Sequence, residues 1–297
     1  MTRKCGYIAL AGRPNAGKST FLNHVLGEKV AIVSDKPQTT RNRILGVYPG
    51  EDVQIGFLDL PGIHKPQFRM NRLMMRAVHQ GLDDADVIFH FIDMSVPSGS
   101  GDQYVNTYLE GRDIPVILVL NKIDLVNKSK MIEKVAALHE KFSPREIIPI
   151  SAKTGENLDK LLALGTQYLP EAPFLFEEDQ LTDQTLRFMA AEIIREKILH
   201  HTRDELPHAV AVTIESFVEG EGGTAISAVL WAERATQRKI LLGSGGQKIS
   251  KMRQAARRSL AKLLGVPVEL ELYIKVQNKW RDTEQFLANR DLGLLLD

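Results

Sequence analysis

Apolar runs of strand length alternate with longer amphipathic stretches over about the first 170 residues of the chain. The alternation predicts an α/β domain with a mostly parallel sheet and helices on both faces. The segment 29–50 interrupts it and is predicted to be a mobile loop leading into a further strand. The predicted strands are 6–11, 53–58, 87–92, 115–120 and 147–150, and the predicted helices are 18–27, 69–82, 102–111, 128–142 and 157–168.

The pattern changes after residue 170. Residues 171–183 carry five acidic side chains and no Lys or Arg, which is typical of a solvated linker. The following elements are predicted to be a helix at 184–203, strands at 209–217 and 224–233, two helical stretches around a glycine turn at 243–246, and a strand at 267–276. We therefore predict a first domain at 1–170, an acidic linker at 171–183 and, at 184–297, an α+β domain of order α-β-β-α-α-β with a C-terminal tail.

Bulk composition adds few constraints. A chain of 297 residues can bury two cores, and its net charge of +1 favours no class of partner. Cys5 is the single cysteine, so an intrachain disulfide is impossible and a reducing cytoplasm is expected. No apolar run approaches the ~20 residues of a membrane span, and the short apolar stretch near the N-terminus reads as a core strand rather than a signal peptide.

The most informative motif is Gly-Arg-Pro-Asn-Ala-Gly-Lys-Ser at residues 12–19, directly after the first predicted strand. A strand, a glycine-bounded turn and a helix start form a phosphate-binding loop, in which backbone N–H groups surround the phosphates. Lys18 is expected to reach the β- and γ-phosphates. Ser19 is expected to offer its hydroxyl to Mg²⁺. The predicted nucleotide contacts of this loop are Gly12, Asn15, Ala16, Gly17, Lys18, Ser19 and Thr20.

A second motif, Asp59-Leu60-Pro61-Gly62, ends the second predicted strand. The Asp59 carboxylate is expected to hold Mg²⁺, and the Gly62 N–H to meet the γ-phosphate. Between this motif and the phosphate loop lies Gln38-Thr39-Thr40-Arg41, whose threonine hydroxyl could complete the Mg²⁺ shell only when the γ-phosphate is present. Both threonines are open on the residues alone, and we favour Thr40 by its likeness to related GTPases with paired threonines before Arg.

Two further motifs select the base. In Asn121-Lys122-Ile123-Asp124, the Asp124 carboxylate can accept from the ring N–H and the exocyclic amine of guanine, two donors that adenine lacks. Asn121 is expected to brace the phosphate loop, and the Lys122 stem to lie over the base. Ser151-Ala152-Lys153 follows the last strand of the domain, and its Ala152 N–H is expected to donate to guanine O6. These motifs predict binding and hydrolysis of GTP, with GTP/GDP and Mg²⁺ as cofactors.

These five elements resemble the Ras-like, translation-associated GTPases, with one departure. Ile63 and His64 follow Gly62, where Ras-like signalling proteins have the glutamine that orients the attacking water. Hydrolysis is therefore expected to be slow or to be completed by another group. The resemblance implies that Asn15 could hold K⁺ against the phosphates, and it favours His64 as a mobile switch residue over a general base. The predicted catalytic contributors are Asn15, Lys18, Thr40 and Gly62.

The second domain carries a concentrated positive charge. Residues 234–262 contain nine Lys and Arg and no acidic residue, and Gly243-Ser244-Gly245-Gly246 lies between two of the predicted helices. A Gly-x-x-Gly turn between helices is the backbone clamp of KH domains. The element order is that of a type II KH domain, with base contacts expected between the second helix and the strand 224–233. The predicted RNA contacts are Gly243, Ser244, Gly245, Gly246, Lys248, Lys251, Arg253, Arg257 and Arg258.

Taken over its whole length, with Gln-Thr-Thr-Arg, Asp-x-Pro-Gly and Ala190 to Lys197 (Ala-Ala-Glu-Ile-Ile-Arg-Glu-Lys), the chain resembles the Era family. The resemblance implies a role in maturation of the small ribosomal subunit. It also implies binding to single-stranded RNA near the 3′ end of 16S rRNA, and peripheral association with the cell membrane. A monomer is expected.

The residues leave a second interpretation open: a signalling GTPase whose basic domain docks on a protein or an anionic membrane. The basic stretch lacks an evident Trp, Phe or Leu insertion face, which favours RNA over lipid.

Overall fold

A computed structural model of the chain describes residues 3–142, 144–202 and 206–294, without the side chains of residues 128–130, 141, 207 and 290. The chain forms two compact units. The first comprises Met1–Pro66 and Met74–Asp183, and the second comprises Gln67–Leu73 and Gln184–Asp297. In the described part of the chain, no helix has the length and apolar character needed to cross a membrane.

The first unit contains a six-stranded sheet of order β2-β3-β1-β4-β5-β6, in which only β2 runs antiparallel to its neighbour. The predicted mostly parallel α/β fold is confirmed. The further strand expected after the loop 29–50 is β2, which lies within that segment, so the loop ends earlier than predicted. Its strands are β1 Lys4–Gly12, β2 Ile44–Pro49, β3 Val53–Asp59, β4 Val87–Asp93, β5 Val116–Asn121 and β6 Glu146–Pro149. Its helices are α1 Lys18–Leu26, α3 Ser100–Leu109, α4 Lys128–Phe142, α5 Leu158–Tyr168 and, from Met74 onwards, α2 Arg69–Asp83, whose residues up to Leu73 belong to the second unit.

The core explains why these strands are so apolar. Phe57 and Phe89 from two of the strands pack around Phe21 of α1, with edge-on ring contacts of 5.4 and 6.1 Å between centroids. All three rings are fully buried. Because parallel strands bring their carboxyl ends to one edge of the sheet, the polar residues that follow β1, β3, β4 and β5 collect there.

The acidic segment 171–183 lies against the first unit and does not form a free tether. Gln54 of β3 holds it, since its Oε1 accepts from the N–H groups of Leu175 and Phe176 (2.8 and 2.9 Å) and its Nε2 donates to the Phe176 carbonyl. Farther along, the Leu181 carbonyl accepts from the Val47 N–H at the free edge of β2 (2.9 Å). The segment is thus an ordered strap, and its acidic side chains at 177–179 are exposed.

The second unit follows the predicted order α-β-β-α-α-β. Thr185 starts the first helix by accepting from the Phe188 N–H at 3.2 Å. The helices pack on one face of a three-stranded sheet of order β7-β8-β9, with β7 and β8 antiparallel and β8 and β9 parallel. These elements are α6 Leu186–His201, β7 Val210–Gly220, β8 Gly223–Ala232, α7 Ala235–Leu242, α8 Gln247–Leu264 and β9 Val268–Val276.

Two expectations about this unit need correction. The groove beside α8 is bordered by β9 rather than by the strand 224–233, because the parallel pairing places β9 at the sheet edge and leaves β8 in the centre. The C-terminal segment is also more than a tail. The Trp280 ring is fully buried with its N–H donating to the Ala209 carbonyl (3.0 Å), and a short helix, α9 Glu284–Leu287, follows it.

Candidate nucleotide and nucleic-acid sites

The phosphate loop between β1 and α1 needs its glycines for two reasons. Gly12 and Gly17 have φ angles of 147° and 96°, which side chains disfavour. A Cβ on Gly17 would also lie 2.1 Å from Nδ2 of Asn121. Asn15 takes the left-handed conformation as well (φ 64°) and donates from Nδ2 to the Asp35 carbonyl at 2.6 Å. The loop is therefore tied to the segment that precedes Thr40.

Three predicted metal ligands converge beside this loop. The Ser19 hydroxyl lies 2.5 Å from Asp59 Oδ2 and 2.9 Å from the Thr40 hydroxyl. Asp59 is fully buried, and its Oδ1 has no hydrogen-bond partner among the residues that the structure describes. Burial raises the pKa of this carboxyl. A buried, half-satisfied carboxylate beside two hydroxyls is a set of hard oxygen donors, so these residues fit Mg²⁺.

The structure distinguishes the two threonines of the loop. The Thr39 hydroxyl donates to the Lys36 carbonyl at 2.7 Å within its own turn, whereas Thr40 faces Asp59. Thr40 is the threonine placed with the predicted metal ligands.

A Thr40→Ala variant is expected to hydrolyse GTP at least about tenfold more slowly, because it removes an oxygen from a buried polar cluster. Its GDP affinity should stay unchanged. Thr39→Ala is the matched control and should keep the native rate. Single-turnover hydrolysis and GDP titration measure both, and equal rates in the two variants would contradict this assignment.

Lys18 is buried at the start of α1, where its Nζ donates to the Arg13 carbonyl at 3.2 Å. Burial lowers the pKa of this ammonium, and the nearby Asp59 carboxylate partly opposes that effect. A cavity of about 290 Å³ lies over Lys18, lined also by Ser19, Thr20 and Gly62. A Cβ on Gly62 would lie 2.5 Å from the Pro14 nitrogen, so only glycine allows this close approach. Five predicted contacts of the phosphate loop thus share one cavity with Gly62, namely Asn15, Gly17, Lys18, Ser19 and Thr20, whereas Gly12 and Ala16 do not line it.

The base-selecting motifs meet through Asn121. Its Nδ2 donates to the Ala16 carbonyl (2.8 Å) and its Oδ1 accepts from the Ala152 N–H (2.9 Å). Asn121 therefore links the phosphate loop to Ser151-Ala152-Lys153, as expected of a brace. The predicted contact of the Ala152 N–H with guanine O6 stays a prediction.

Asp124 is exposed and held in place for the base. The Ser151 hydroxyl donates to its Oδ1 at 2.7 Å, and the Thr154 N–H in turn donates to the Ser151 hydroxyl. Lys153 is exposed next to this turn. One carboxylate oxygen of Asp124 is thereby fixed, which orients the group.

The sequence analysis missed Asp93, whose Oδ2 accepts from Lys122 Nζ at 2.5 Å. Burial disfavours the Asp93 carboxylate, but hydrogen bonds from Lys122 and Ser95 outweigh it, so the pKa of Asp93 is lowered. The available signal was position, because Asp93 ends a predicted strand just as Asp59 does. Asp93 therefore holds Lys122, whose aliphatic stem was predicted to lie over the base.

His64 links the two loops that flank the phosphates. Its Nδ1 lies 2.7 Å from the Gly62 carbonyl, and its Nε2 lies 3.1 Å from the Gln38 side-chain nitrogen. The simplest assignment has Nδ1–H donating and Nε2 accepting. Both ring nitrogens are then occupied by the protein, which fits the switch role over the general base.

The glycine turn of the second unit leads directly into α8. Gly245 and Gly246 have φ angles of 56° and 76°, and no side chain caps the helix that follows. A Cβ on Gly243 would lie 2.6 Å from the Lys248 Cβ, whereas Gly245 and Gly246 border open space. Uncapped N–H groups at a helix start attract anions. The remaining predicted RNA contacts, Ser244, Lys251, Arg253, Arg257 and Arg258, are exposed.

Residues 234–262 hold nine cations and no acidic residue. Among the described residues, none of them forms an ion pair. A one-sign surface of this kind is a footprint for a polyanion.

The fold and these two sites define a class of protein: a P-loop GTPase joined to a KH domain. Residues 7–122 match the family model described as "50S ribosome-binding GTPase", and residues 205–281 match the one described as "KH domain".

Two solved structures resemble the whole chain. One is Era in complex with MgGDPNP and nucleotides 1506–1542 of 16S ribosomal RNA, with 39% identity, 99% of this chain and 100% of that one covered, and a TM-score of 0.94. The other is an Aquifex aeolicus Era variant bound to GDP and AlF4⁻, with 38% identity, the same coverage and a TM-score of 0.93. The chain belongs to the Era family and is a GTPase that uses GTP, GDP and Mg²⁺.

Proposed function

We propose that this GTPase binds single-stranded RNA near the 3′ end of 16S rRNA and acts in maturation of the small ribosomal subunit. The observation that carries the proposal is the glycine turn that leads into α8, a helix whose cations form no ion pair among the described residues. The Era structure of 39% identity, which holds nucleotides 1506–1542 of 16S rRNA, supports the choice of RNA. The bound nucleotide, GTP or GDP, would then determine when the RNA is bound and when it is released.

The chemistry of the switch rests on positioned donors. Lys18 and the phosphate-loop N–H groups neutralise and align the phosphates, and the Gly62 N–H meets the γ-phosphate. When bound, Mg²⁺ neutralises developing phosphate charge. Thr40 and Gly62 report whether the γ-phosphate is present, because both lie on loops at the cavity.

The test is GTP turnover in potassium buffer with a short RNA copying the 3′ end of 16S rRNA, against a scrambled RNA of equal composition. Selective stimulation would support coupling of the two units. If both RNAs gave the basal rate, and neither bound in a direct titration, the proposal would fail.

Potassium dependence is a separate part of the proposal. Because no glutamine follows Gly62, a cation held at Asn15 is proposed to supply the missing charge, as the family resemblance implies. Turnover in K⁺ should exceed that in Na⁺ at equal ionic strength by at least about tenfold. Asn15→Gly should remove the difference without straining the φ of 64°, since glycine accepts it. A K⁺ effect that survives in this variant would rule out Asn15 as the ligand.

We also propose that the protein works as a monomer in the cytoplasm, with peripheral attachment to the inner face of the cell membrane through the basic surface of α8. The exposed cations of that helix support attraction to anionic headgroups. Sedimentation with anionic vesicles, against neutral ones, tests the attachment, and equal recovery would exclude it.

A further inference from the structure

The segment 93–102, which runs from the end of β4 into the first turn of α3, carries a paired carboxylate at each end. At its start, Asp93 Oδ2 accepts from Lys122 Nζ at 2.5 Å. At its end, Asp102 Oδ2 accepts from Arg13 Nη1 at 3.2 Å. Lys122 belongs to the base-selecting motif and Arg13 to the phosphate loop, so one short segment contacts two parts of the nucleotide site. Both pairs line a single cavity of about 1000 Å³.

The side chain of Arg13 is held against the first turn of α3. The Asp102 side chain is only 5% exposed, and its Oδ2 also accepts from the Gly99 N–H at 2.9 Å, which fixes it at the start of the helix. The guanidinium lies directly on Gly101, where a Cβ would come within 2.6 Å of Arg13 Nε. Glycine at position 101 therefore leaves the space that the Arg13 side chain occupies.

The backbone of Arg13 in turn shapes the phosphate loop. Its carbonyl accepts from Lys18 Nζ at 3.2 Å and from the Ala16 N–H at 3.4 Å. Lys18 is the residue predicted to reach the β- and γ-phosphates, and the backbone N–H groups of such a loop surround the phosphates. Because the Arg13 guanidinium is fixed on α3, the position of the phosphate loop is restricted as well.

The other end of the segment is fixed to the base-selecting motif. The Met94 N–H donates to the Asn121 carbonyl at 2.9 Å, next to the ion pair between Asp93 and Lys122. The Ser95 N–H and hydroxyl donate to Asp93 Oδ1 at 2.9 and 2.5 Å. These bonds keep the Asp93 carboxylate turned toward Lys122.

We propose that Asp93 and Asp102 are positioning residues that slow the release of GDP, and that the segment 93–102 makes their two ion pairs act together. Release requires the phosphate loop and the base-selecting motif to move away from the nucleotide, and the segment resists both movements. Because it is one short connection, loosening either end removes the restraint on the other. Both pairs are charge-assisted and partly buried, so each contributes more than an exposed ion pair.

The first test is Gly101→Ala, because it displaces the Arg13 side chain and removes no charge. Alanine is the better helix former, so the unfolding temperature of the nucleotide-free protein should stay native or rise. GDP release, followed in a stopped-flow instrument by displacement of a fluorescent GDP analogue, should nevertheless accelerate about tenfold. Asp102→Asn should show the same acceleration. Asp113→Asn changes an exposed acid just beyond α3 and is the matched control, which should release GDP at the native rate.

The coupling is tested by combining Asp93→Asn with Asp102→Asn. Each single substitution should accelerate release about tenfold and the double variant also about tenfold, whereas independent effects would multiply to about a hundredfold. A hundredfold acceleration in the double variant would overturn the coupling. A native release rate in Gly101→Ala would overturn the positioning role of Asp102, and so would a faster release that comes only with a lower unfolding temperature of the nucleotide-free protein. A native release rate in Asp93→Asn would overturn the role of Asp93.

Discussion

An Asp124→Asn variant is expected to bind GTP at least about a thousandfold more weakly and to gain affinity for xanthosine triphosphate. The Ser151 hydroxyl donates to Asp124 Oδ1 and would keep the asparagine carbonyl oxygen in that position. The new amide would then face the base with a donor. Guanine presents donors there and would clash, whereas xanthine presents an oxygen at the carbon that carries the guanine amine.

The measurement is titration of each nucleotide by calorimetry. Asp159→Asn, an exposed acid in the first turn of α5, removes the same charge from the same unit and should leave GTP affinity unchanged. If Asp124→Asn kept its preference for GTP, the Ser151–Asp124 pair would have to lie outside the base site.

A Gly245→Asp variant is expected to lose RNA binding by at least about a hundredfold. It places a carboxylate where phosphates approach, and like charges in close contact cost several kcal/mol. The fold should survive, because aspartate tolerates a φ of 56° better than most residues and a Cβ at this position meets no atom within 4 Å.

Gly222→Asp is the matched control, because it adds the same charge to the same unit. A Cβ at Gly222, in the turn between β7 and β8, also meets nothing within 4 Å. RNA anisotropy and thermal unfolding should show weak binding with native stability for Gly245→Asp only. Equal RNA affinity in both variants would place the RNA elsewhere on the protein.

The nucleotide site could be predicted from the sequence because the strands of the first unit are mostly parallel. Four of the five predicted strands in the first domain end in a polar motif, and a parallel sheet gathers such ends at one edge. Ser19, Asp59 and Asn121 could therefore be grouped before any coordinates. The residues alone leave Thr39 and Thr40 open, because both hydroxyls have the same local pattern. The family likeness favoured Thr40, and the structure adds the physical reason, since the Thr40 hydroxyl faces Asp59. The hydrogen bond from the Ala152 N–H to Asn121 could not be predicted, since competition between acceptors is decided by distances.

The hydrophobic pattern also could not predict which strands lie next to each other in the second unit. Hydrophobic periodicity gives the order of elements along the chain, but pairing in space placed β9 outside β8 and moved the expected groove. The inclusion of residues 67–73 in the second unit depends on long-range contacts, such as the Arg281 guanidinium 3.9 Å from the centre of the Phe68 ring. Nothing in the sequence around Phe68 or Arg281 indicates that these two residues are in contact.

The strap held by Gln54 makes the reactivity of Cys5 a measure of how often the strap opens. Cys5, the single thiol of the chain, is buried beneath it, with Sγ 3.7 Å from Gln54 Oε1 and its N–H donating to the Pro170 carbonyl. Burial raises the pKa of this thiol, so the closed form resists alkylation. The rate at which a thiol reagent modifies Cys5 therefore depends on how often the strap opens and exposes the thiol. Comparing the modification rate with GTP and with GDP bound measures the effect of the nucleotide on the strap, and it needs no substitution in the chain.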